Sequence, residues 1–107
     1  MADLKISAER PEKGYFILRL TGEFEGLSIV NLREKIMDYL KEKDVRNFMV
    51  DFSGVTYIDS TGVGLLIEMA RVAADKQATL GLINLNDNIK KVLVLTKVDK
   101  ILKIYAQ

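Results

Sequence analysis

Residues 57–64, "YIDSTGVG", place a carboxylate, two adjacent hydroxyls and two glycines within eight positions. Such a stretch suits four roles: a helix cap, a phosphate cradle, a catalytic element, or an acceptor of a modification made by another protein. In the first role, Ser60 or Thr61 would accept a hydrogen bond from the first turn of the next helix. The glycines would then only permit a tight turn.

Composition argues against the catalytic role. The chain contains neither histidine nor cysteine, which removes the commonest general base, serine–histidine and cysteine–histidine nucleophiles, and most zinc sites. "DSTG" has one residue more than the aspartic-protease triplet and occurs once, and no Walker-type lysine follows the glycines. Asp51 and Asp59 could pair for acid–base or magnesium chemistry, but we expect two solvated loop carboxylates. We predict no enzyme activity, cofactor or metal.

The modification role fits the residue types better. A hydroxyl at a helix start, with Gly62 and Gly64 clearing the surface around it, would make a good phosphoacceptor. Phosphate adds about −1.5 to −2 charges, which a helix N-terminus tolerates. Asp59 and Glu25 would make the spot more negative still, so we expect phosphate to disrupt an interface and leave the fold intact.

Length and composition predict one globular domain over residues 1–107, since 49% of the residues are apolar and 29% are charged. No apolar run approaches the ~20 residues of a membrane span, and the first residues do not resemble a signal peptide. We therefore expect a cytoplasmic protein.

Charge is unevenly distributed along the chain. Residues 1–75 carry 10 basic and 13 acidic side chains, whereas residues 76–107 carry 6 and 2. A basic end could contact nucleic acid or an anionic lipid surface. Its lysines are spread out with few aromatic residues between them, so we favour a solvated face and predict no direct nucleic-acid partner.

Hydrophobic periodicity predicts the order β-β-α-β-α-β-α, with a final short strand or tail. The first two strands form a hairpin, and the strands joined through helices pair in parallel. The fold class is therefore α/β, with a mixed sheet of four to five strands and helices packed on it. The predicted elements are strands 4–9 and 15–22, a helix capped by Ser28 and ending near residues 41–44, strand 47–52, a connection over 53–62, a helix from Val63 to about Ala74, strand 78–85, a helix capped by Asn86 or Asp87, and the tail 100–107.

The central helix is unusually apolar. Its hydrophobic residues cover most of its circumference, so they are either buried by neighbouring helices or leave an apolar strip for a partner. These residues are Val63, Leu65, Leu66, Ile67, Met69, Ala70, Val72, Ala73 and Ala74.

The stretch "FMVDFSGVTYIDSTGVGLLIEMARVA" strongly resembles the signature of the STAS domain, the fold of bacterial anti-sigma factor antagonists. "FILRLTGEFEG" is similar to the family's second strand and the following loop. "ATLGLINLNDNIKKVLVLTKVDKIL" is similar to its closing strand, helix and tail, so the resemblance covers nearly the whole chain.

The resemblance implies a phosphorylation switch. In the family, an anti-sigma factor that is a serine kinase phosphorylates the serine after the motif aspartate, and a PP2C-type phosphatase reverses this. That serine is Ser60 here, with Thr61 as runner-up. The unphosphorylated antagonist binds the anti-sigma factor, frees the sigma factor, and is monomeric when free. The implied partner-binding residues are Glu23, Glu25, Asp59, Ser60, Thr61, Gly62, Val63 and Gly64.

Two departures concern partner choice. Glu25 stands where family members commonly have aspartate, and Phe24 where they commonly have leucine. The resemblance also leaves an alternative function, since STAS domains occur as subunits of stress-sensing scaffolds and of lipid or anion transport complexes.

Overall fold

The computed structural model describes residues 3–105 and has the predicted order of strands and helices. A short 3₁₀ turn, which the sequence patterns did not indicate, precedes the last strand. The elements are β1 (Lys5–Glu9), β2 (Tyr15–Phe24), α1 (Gly26–Leu40), β3 (Asn47–Ile58), α2 (Ser60–Asp75), β4 (Thr79–Ile83), α3 (Asp87–Leu95), the 3₁₀ turn Val98–Lys100 and β5 (Lys103–Ile104).

The five strands form one mixed sheet in the order β1-β2-β3-β4-β5. β1 pairs antiparallel with β2, as the hairpin prediction required, and the remaining pairs are parallel. The carboxyl ends of β2 and β3 therefore lie side by side, with Phe24 paired to Ile58. Both strands lead from there into helices, so the starts of α1 and α2 share one edge of the sheet.

The core lies on one face of the sheet. Along β2, Phe16, Leu18 and Leu20 are buried, whereas the alternate residues are less so, with Ile17 half-buried and Arg19 exposed. Strand register continues the buried face in rows, because side chains at paired positions point to the same side. The rows are Phe16–Phe48–Leu80 and Leu18–Val50–Leu82.

β3 corrects the predicted strand over 47–52. It continues through Ile58 because β2 supplies pairing partners as far as Phe24. The serine and glycine that suggested a connection form an irregular part of the ladder, where the register shifts. A Cβ on Gly54 would lie 2.8 Å from the Leu20 carbonyl oxygen, so the close approach of the strands requires glycine.

The start of α1 differs from the prediction, whereas its last residue, Leu40, lies directly before the predicted end near residues 41–44. The helix begins at Gly26 with Glu25 as its N-cap, and Ser28 lies inside the first turn, so the predicted Ser28 cap is wrong. The Glu25 side chain makes no capping bond. At the other end, Lys76 Nζ, which follows α2, donates to the carbonyl oxygens of Leu40 (2.7 Å) and Glu42 (2.8 Å).

Neighbouring elements cover most of the apolar circumference of α2. Its large residues Leu65, Leu66 and Met69 are buried, and Ile67 and Val72 are half-buried against the core. This confirms the first alternative, burial by neighbours. An exposed ion pair between Arg33 of α1 and Glu68 of α2 joins the two helices.

The closing elements confirm their predictions. Asn86 caps α3 by accepting a 2.8 Å hydrogen bond from the Ile89 N–H. β5 confirms a short terminal strand, and the predicted tail beyond it reaches Ala106 and Gln107, which lie outside the described residues, as do Met1 and Ala2. Over residues 3–105, no helix combines the length and apolar character needed to cross a membrane.

Candidate partner-binding site

Asp59, the residue after β3, caps α2. Its backbone is extended, and its Oδ1 accepts a 2.9 Å hydrogen bond from the Gly62 N–H. Its carbonyl oxygen also accepts the 2.9 Å bond from Val63 N that opens the helix. The proposal that Ser60 or Thr61 caps this helix is therefore wrong, because the aspartate that precedes them occupies that position.

Asp59 also reaches the start of the other helix. Its Oδ2 accepts a 3.2 Å hydrogen bond from the Gly26 N–H. Gly26 has a φ of +46°, a left-handed conformation that favours glycine. One carboxylate thus joins the first turns of α1 and α2, whose positive dipole ends stabilise its charge.

The hydroxyls of Ser60 and Thr61 take no part in the capping of α2. Both residues are exposed in the first turn of α2. Among residues 3–105, neither hydroxyl has a hydrogen-bond partner, since the capping bonds at this end go to Asp59. Both side chains are therefore exposed and take no part in the hydrogen bonds that begin α2.

The two glycines after the hydroxyls have different roles. Gly62 is buried, and a Cβ there would overlap the Phe24 carbonyl oxygen and lie 2.7 Å from Phe24 Cδ2. Gly64 is exposed, with nothing within 4 Å of a built Cβ. We expected both glycines to keep the surface around the hydroxyls free of side chains, and this is right only for Gly64. Val63 is also buried.

Negative charge surrounds the hydroxyls. Glu23 and Glu25, from the end of β2 and the N-cap of α1, are half-exposed. The pKa of Glu25 is raised by partial desolvation, then by the Glu23 side chain, and then by the Asp59 charge. The structure therefore brings the three predicted carboxylates into one cluster beside Ser60.

Sequence reasoning missed the apolar residues around this site. Leu27, directly after Gly26, is 76% exposed, and Val30, one turn along α1, is 62% exposed. Tyr57 is 52% exposed and pairs in register with Glu23. The signal was present, because Leu27 and Val30 lie off the inward stripe of α1. The Ser60 surface comprises Glu23, Glu25, Leu27, Val30, Tyr57, Asp59, Ser60, Thr61 and Gly64.

Asp51 is not part of this surface. Asp51 lies far from it, because the part of β3 between Asp51 and Ile58, next to the Ser60 surface, is about 20 Å long. Asp51 is buried, so the expectation that it is a solvated loop carboxylate is wrong. Its Oδ1 accepts bonds from Asn84 Nδ2 (2.8 Å) and Ser53 N (2.9 Å). Burial alone would raise its pKa, but these bonds and Arg19 outweigh that effect and lower it.

Across residues 3–105, no cluster of three or more aspartate or glutamate side chains is disposed to hold a metal ion. The carboxylate of Asp59 is already bound to two backbone N–H groups, and that of Asp51 is held by Asn84 and Ser53.

The similar proteins include a transporter and an anti-sigma factor antagonist. A probable sulfate transporter 3.5 of Arabidopsis thaliana is 30% identical over 95 residues, which cover 86% of this chain but only 15% of the transporter. An anti-sigma-B factor antagonist of Staphylococcus aureus is 23% identical over 94 residues, covering 88% of this chain and 85% of the antagonist.

Solved structures show the same fold. The unphosphorylated anti-sigma factor antagonist SpoIIAA superimposes with a TM-score of 0.74 at 21% identity, over 96% of this chain and 90% of that one. SpoIIAA from Bacillus has also been solved in a phosphorylated form. The family model described as the STAS domain matches residues 6–107. The chain therefore belongs to the STAS domain family.

Proposed function

We propose that this chain is an anti-sigma factor antagonist whose binding is switched off by phosphorylation of Ser60. The unphosphorylated chain binds an ATP-dependent serine kinase that is also an anti-sigma factor, and the sigma factor is released. A PP2C-type phosphatase restores the binding form. The chain acts in the cytoplasm as a non-catalytic module and is monomeric when free.

The observation that carries this proposal is the division of labour between Asp59 and Ser60. Asp59 supplies the cap, so the neighbouring hydroxyl contributes nothing to the helix start and stays exposed. Phosphate on Ser60 would therefore remove no contact that stabilises the fold. Thr61 is also exposed and is the second candidate acceptor.

The surroundings of Ser60 supply the means of switching. Exposed Leu27 and Tyr57 offer apolar area that a partner can bury. The carboxylates of Glu23 and Glu25 are close enough to interact unfavourably. A dianionic phosphate added here would increase the negative charge that a partner must desolvate, which weakens a tight interface.

The test is capture of partners from a lysate of the source cells, using wild-type chain and the Ser60→Asp variant as baits. We expect wild type to capture a serine kinase with an ATP site and Ser60→Asp to bind it about thirtyfold or more weakly, since a charge buried without a partner costs about 2 kcal/mol or more. Ser7→Asp adds the same charge on exposed β1 and should bind like wild type. Equal capture of the kinase by all three baits would refute the switch.

A second candidate is a STAS subunit of a transport complex or a stress-sensing scaffold. The identity to the plant sulfate transporter, 30% over 95 residues, favours it. In that case the baits should capture the same transport ATPase, membrane protein or scaffold whether or not residue 60 carries a charge. Kinase capture that depends on residue 60 would exclude this candidate.

A further inference from the structure

A basic groove lies at the opposite end of α2 from Ser60. It has a volume of about 560 Å³ and is lined by residues that follow α1 and by the last turn of α2. This volume is in the range of small-molecule sites, roughly 300–1,000 Å³. The lining residues are Lys41, Lys43, Arg46, Val72, Asp75 and Lys76.

Backbone carbonyls hold two of the cations in place. Lys76 Nζ is bound by the carbonyl oxygens of Leu40 and Glu42, and Arg46 Nη1 donates to that of Val45 at 3.0 Å. These bonds satisfy the last carbonyl of α1 and two carbonyls of the following loop, and they hold both charges in position. They leave both charges without a carboxylate.

Within residues 3–105, no carboxylate forms a direct ion pair with the four cations of the groove, although Glu68 lies near Lys41 and Glu42 near Lys76. In the described part of the chain, none of them has a carboxylate within 4 Å, because the ion pairs there involve Arg10, Arg19 and Arg33. Glu42 is near Lys76 but is bound by Arg10. Asp75 is the acidic residue of the lining, so the groove has a net charge of +3. The pKa of Lys76 is lowered, first by burial and then by repulsion from Arg46.

We propose that this groove binds a compact anion that carries several phosphate groups, at a site separate from the Ser60 surface. Arg46 presents a planar guanidinium and Lys76 an ordered ammonium, both suited to phosphate oxygens. Exposed Lys41 and Lys43 can close on the anion from the α1 side. The inference is independent of the proposed function, since α2 separates the two sites by about 24 Å.

The test is titration of the ¹⁵N-labelled full chain with inorganic triphosphate at constant ionic strength. We expect amide shifts confined to residues 41–46 and 72–76, and none at Ser60 or Thr61. The double variant Lys41→Glu/Lys43→Glu should weaken binding at least about tenfold. The matched control Lys90→Glu/Lys91→Glu changes net charge equally on α3 and should change affinity less than about twofold.

Several outcomes would overturn the proposal. Equal losses in the two double variants would mean that the anion responds only to net charge. Shifts centred away from the groove would place any site elsewhere. A phosphate-bearing lipid surface is the other source of such chemistry, so phosphatidylglycerol vesicles form a second arm. Binding of vesicles without binding of triphosphate would also contradict a site for a soluble anion.

Discussion

At both ends of α2, a charged side chain binds backbone groups that would otherwise lack hydrogen-bond partners, but the two side chains carry opposite charges. At the start, Asp59 binds the free N–H groups of α2 and of α1. At the far end, the Lys76 ammonium donates to the last carbonyl of α1, that of Leu40, and to the carbonyl of Glu42 in the loop that follows. In each case one charged side chain ties the two helices together and complements the local dipole.

The difference lies in what each end leaves exposed. The start leaves two hydroxyls with carboxylates and apolar side chains beside them. The far end leaves lysines that form no direct ion pair within residues 3–105. In both places some of the exposed groups take no part in stabilising the fold, namely the Ser60 and Thr61 hydroxyls at the start and Lys41 and Lys43 at the far end. Mutations should therefore separate stability from binding at each end.

The largest expected effect tests the two glycines of α2. Gly62→Ala should destabilise the chain by about 3 kcal/mol, because the new Cβ collides with the backbone of Phe24. Gly64→Ala should stabilise it by about 0.5–1 kcal/mol, because the site is open and alanine is the better helix former. Urea unfolding followed by circular dichroism measures both. Similar stabilities for the two variants would contradict the assigned roles.

The second-largest expected effect on stability distinguishes Asp59, the helix cap, from Ser60, the proposed site of phosphorylation. Asp59→Ala should cost about 2 kcal/mol, since it removes acceptors for Gly62 N and Gly26 N. Ser60→Ala should stay within about 0.5 kcal/mol of wild type. Asp59→Asn retains one side-chain oxygen and should fall between them. A loss from Ser60→Ala as large as that from Asp59→Ala would show that the serine supports the helix.

A smaller loss of stability is expected at the C-terminal end of α2, where Lys76 lies. Lys76→Met keeps the length of the side chain but removes the donor to two carbonyls, so we expect a loss of about 1 kcal/mol. Lys41 is exposed, and its side chain makes no hydrogen bond within residues 3–105. Lys41→Met should therefore change stability by less than about 0.5 kcal/mol. Identical thermal melting of the two variants would argue against the role of Lys76.

The smallest effect concerns the acidic cluster. Glu23→Gln should lower the pKa of Glu25, because it removes a neighbouring negative charge that opposes ionisation. Glu12→Gln, on the exposed turn after β1, is the control. A ¹³C NMR titration of the Glu25 carboxyl measures the shift. An unchanged pKa in Glu23→Gln would show that the two side chains do not interact.

The sign of the stability effect follows from the raised pKa. A folded chain that holds this proton more tightly than the unfolded chain loses stability as pH rises from the ordinary pKa of glutamate through the raised one. That loss should be smaller in Glu23→Gln. A loss of the same size in both proteins would contradict the assigned cause.

Sequence patterns predicted the order of elements because local signals were strong. Alternation identified β2, helical spacing identified α1, and Asn86 is a local cap. The errors arose where a distant segment decides the structure. Gly26 N is bound by Asp59, 33 positions away, so α1 begins before Ser28. β3 continues past its serine and glycine because β2 runs beside it.

The candidate site was predicted only in part, because some of its features depend on segments that are distant in the sequence. The hydroxyls and Asp59 follow from the motif, which is contiguous, whereas Glu23 and Glu25 come from a segment about 35 positions earlier, and the family resemblance implied their place. The burial of Gly62 depends on Phe24, and the exposure of Leu27 depends on how α1 packs. The basic groove combines residues about 30 positions apart, which no linear pattern brings together.

The most direct test of the central claim is phosphorylation of the chain by its own cell extract with ATP, mapped by mass spectrometry and followed by thermal melting of the purified product. We predict phosphate on Ser60 and a melting temperature within about 4 °C of the unmodified chain, the equivalent of less than about 1 kcal/mol. Phosphate on neither hydroxyl, or a phosphorylated chain that melts far lower, would contradict a switch that acts on an interface while leaving the fold intact.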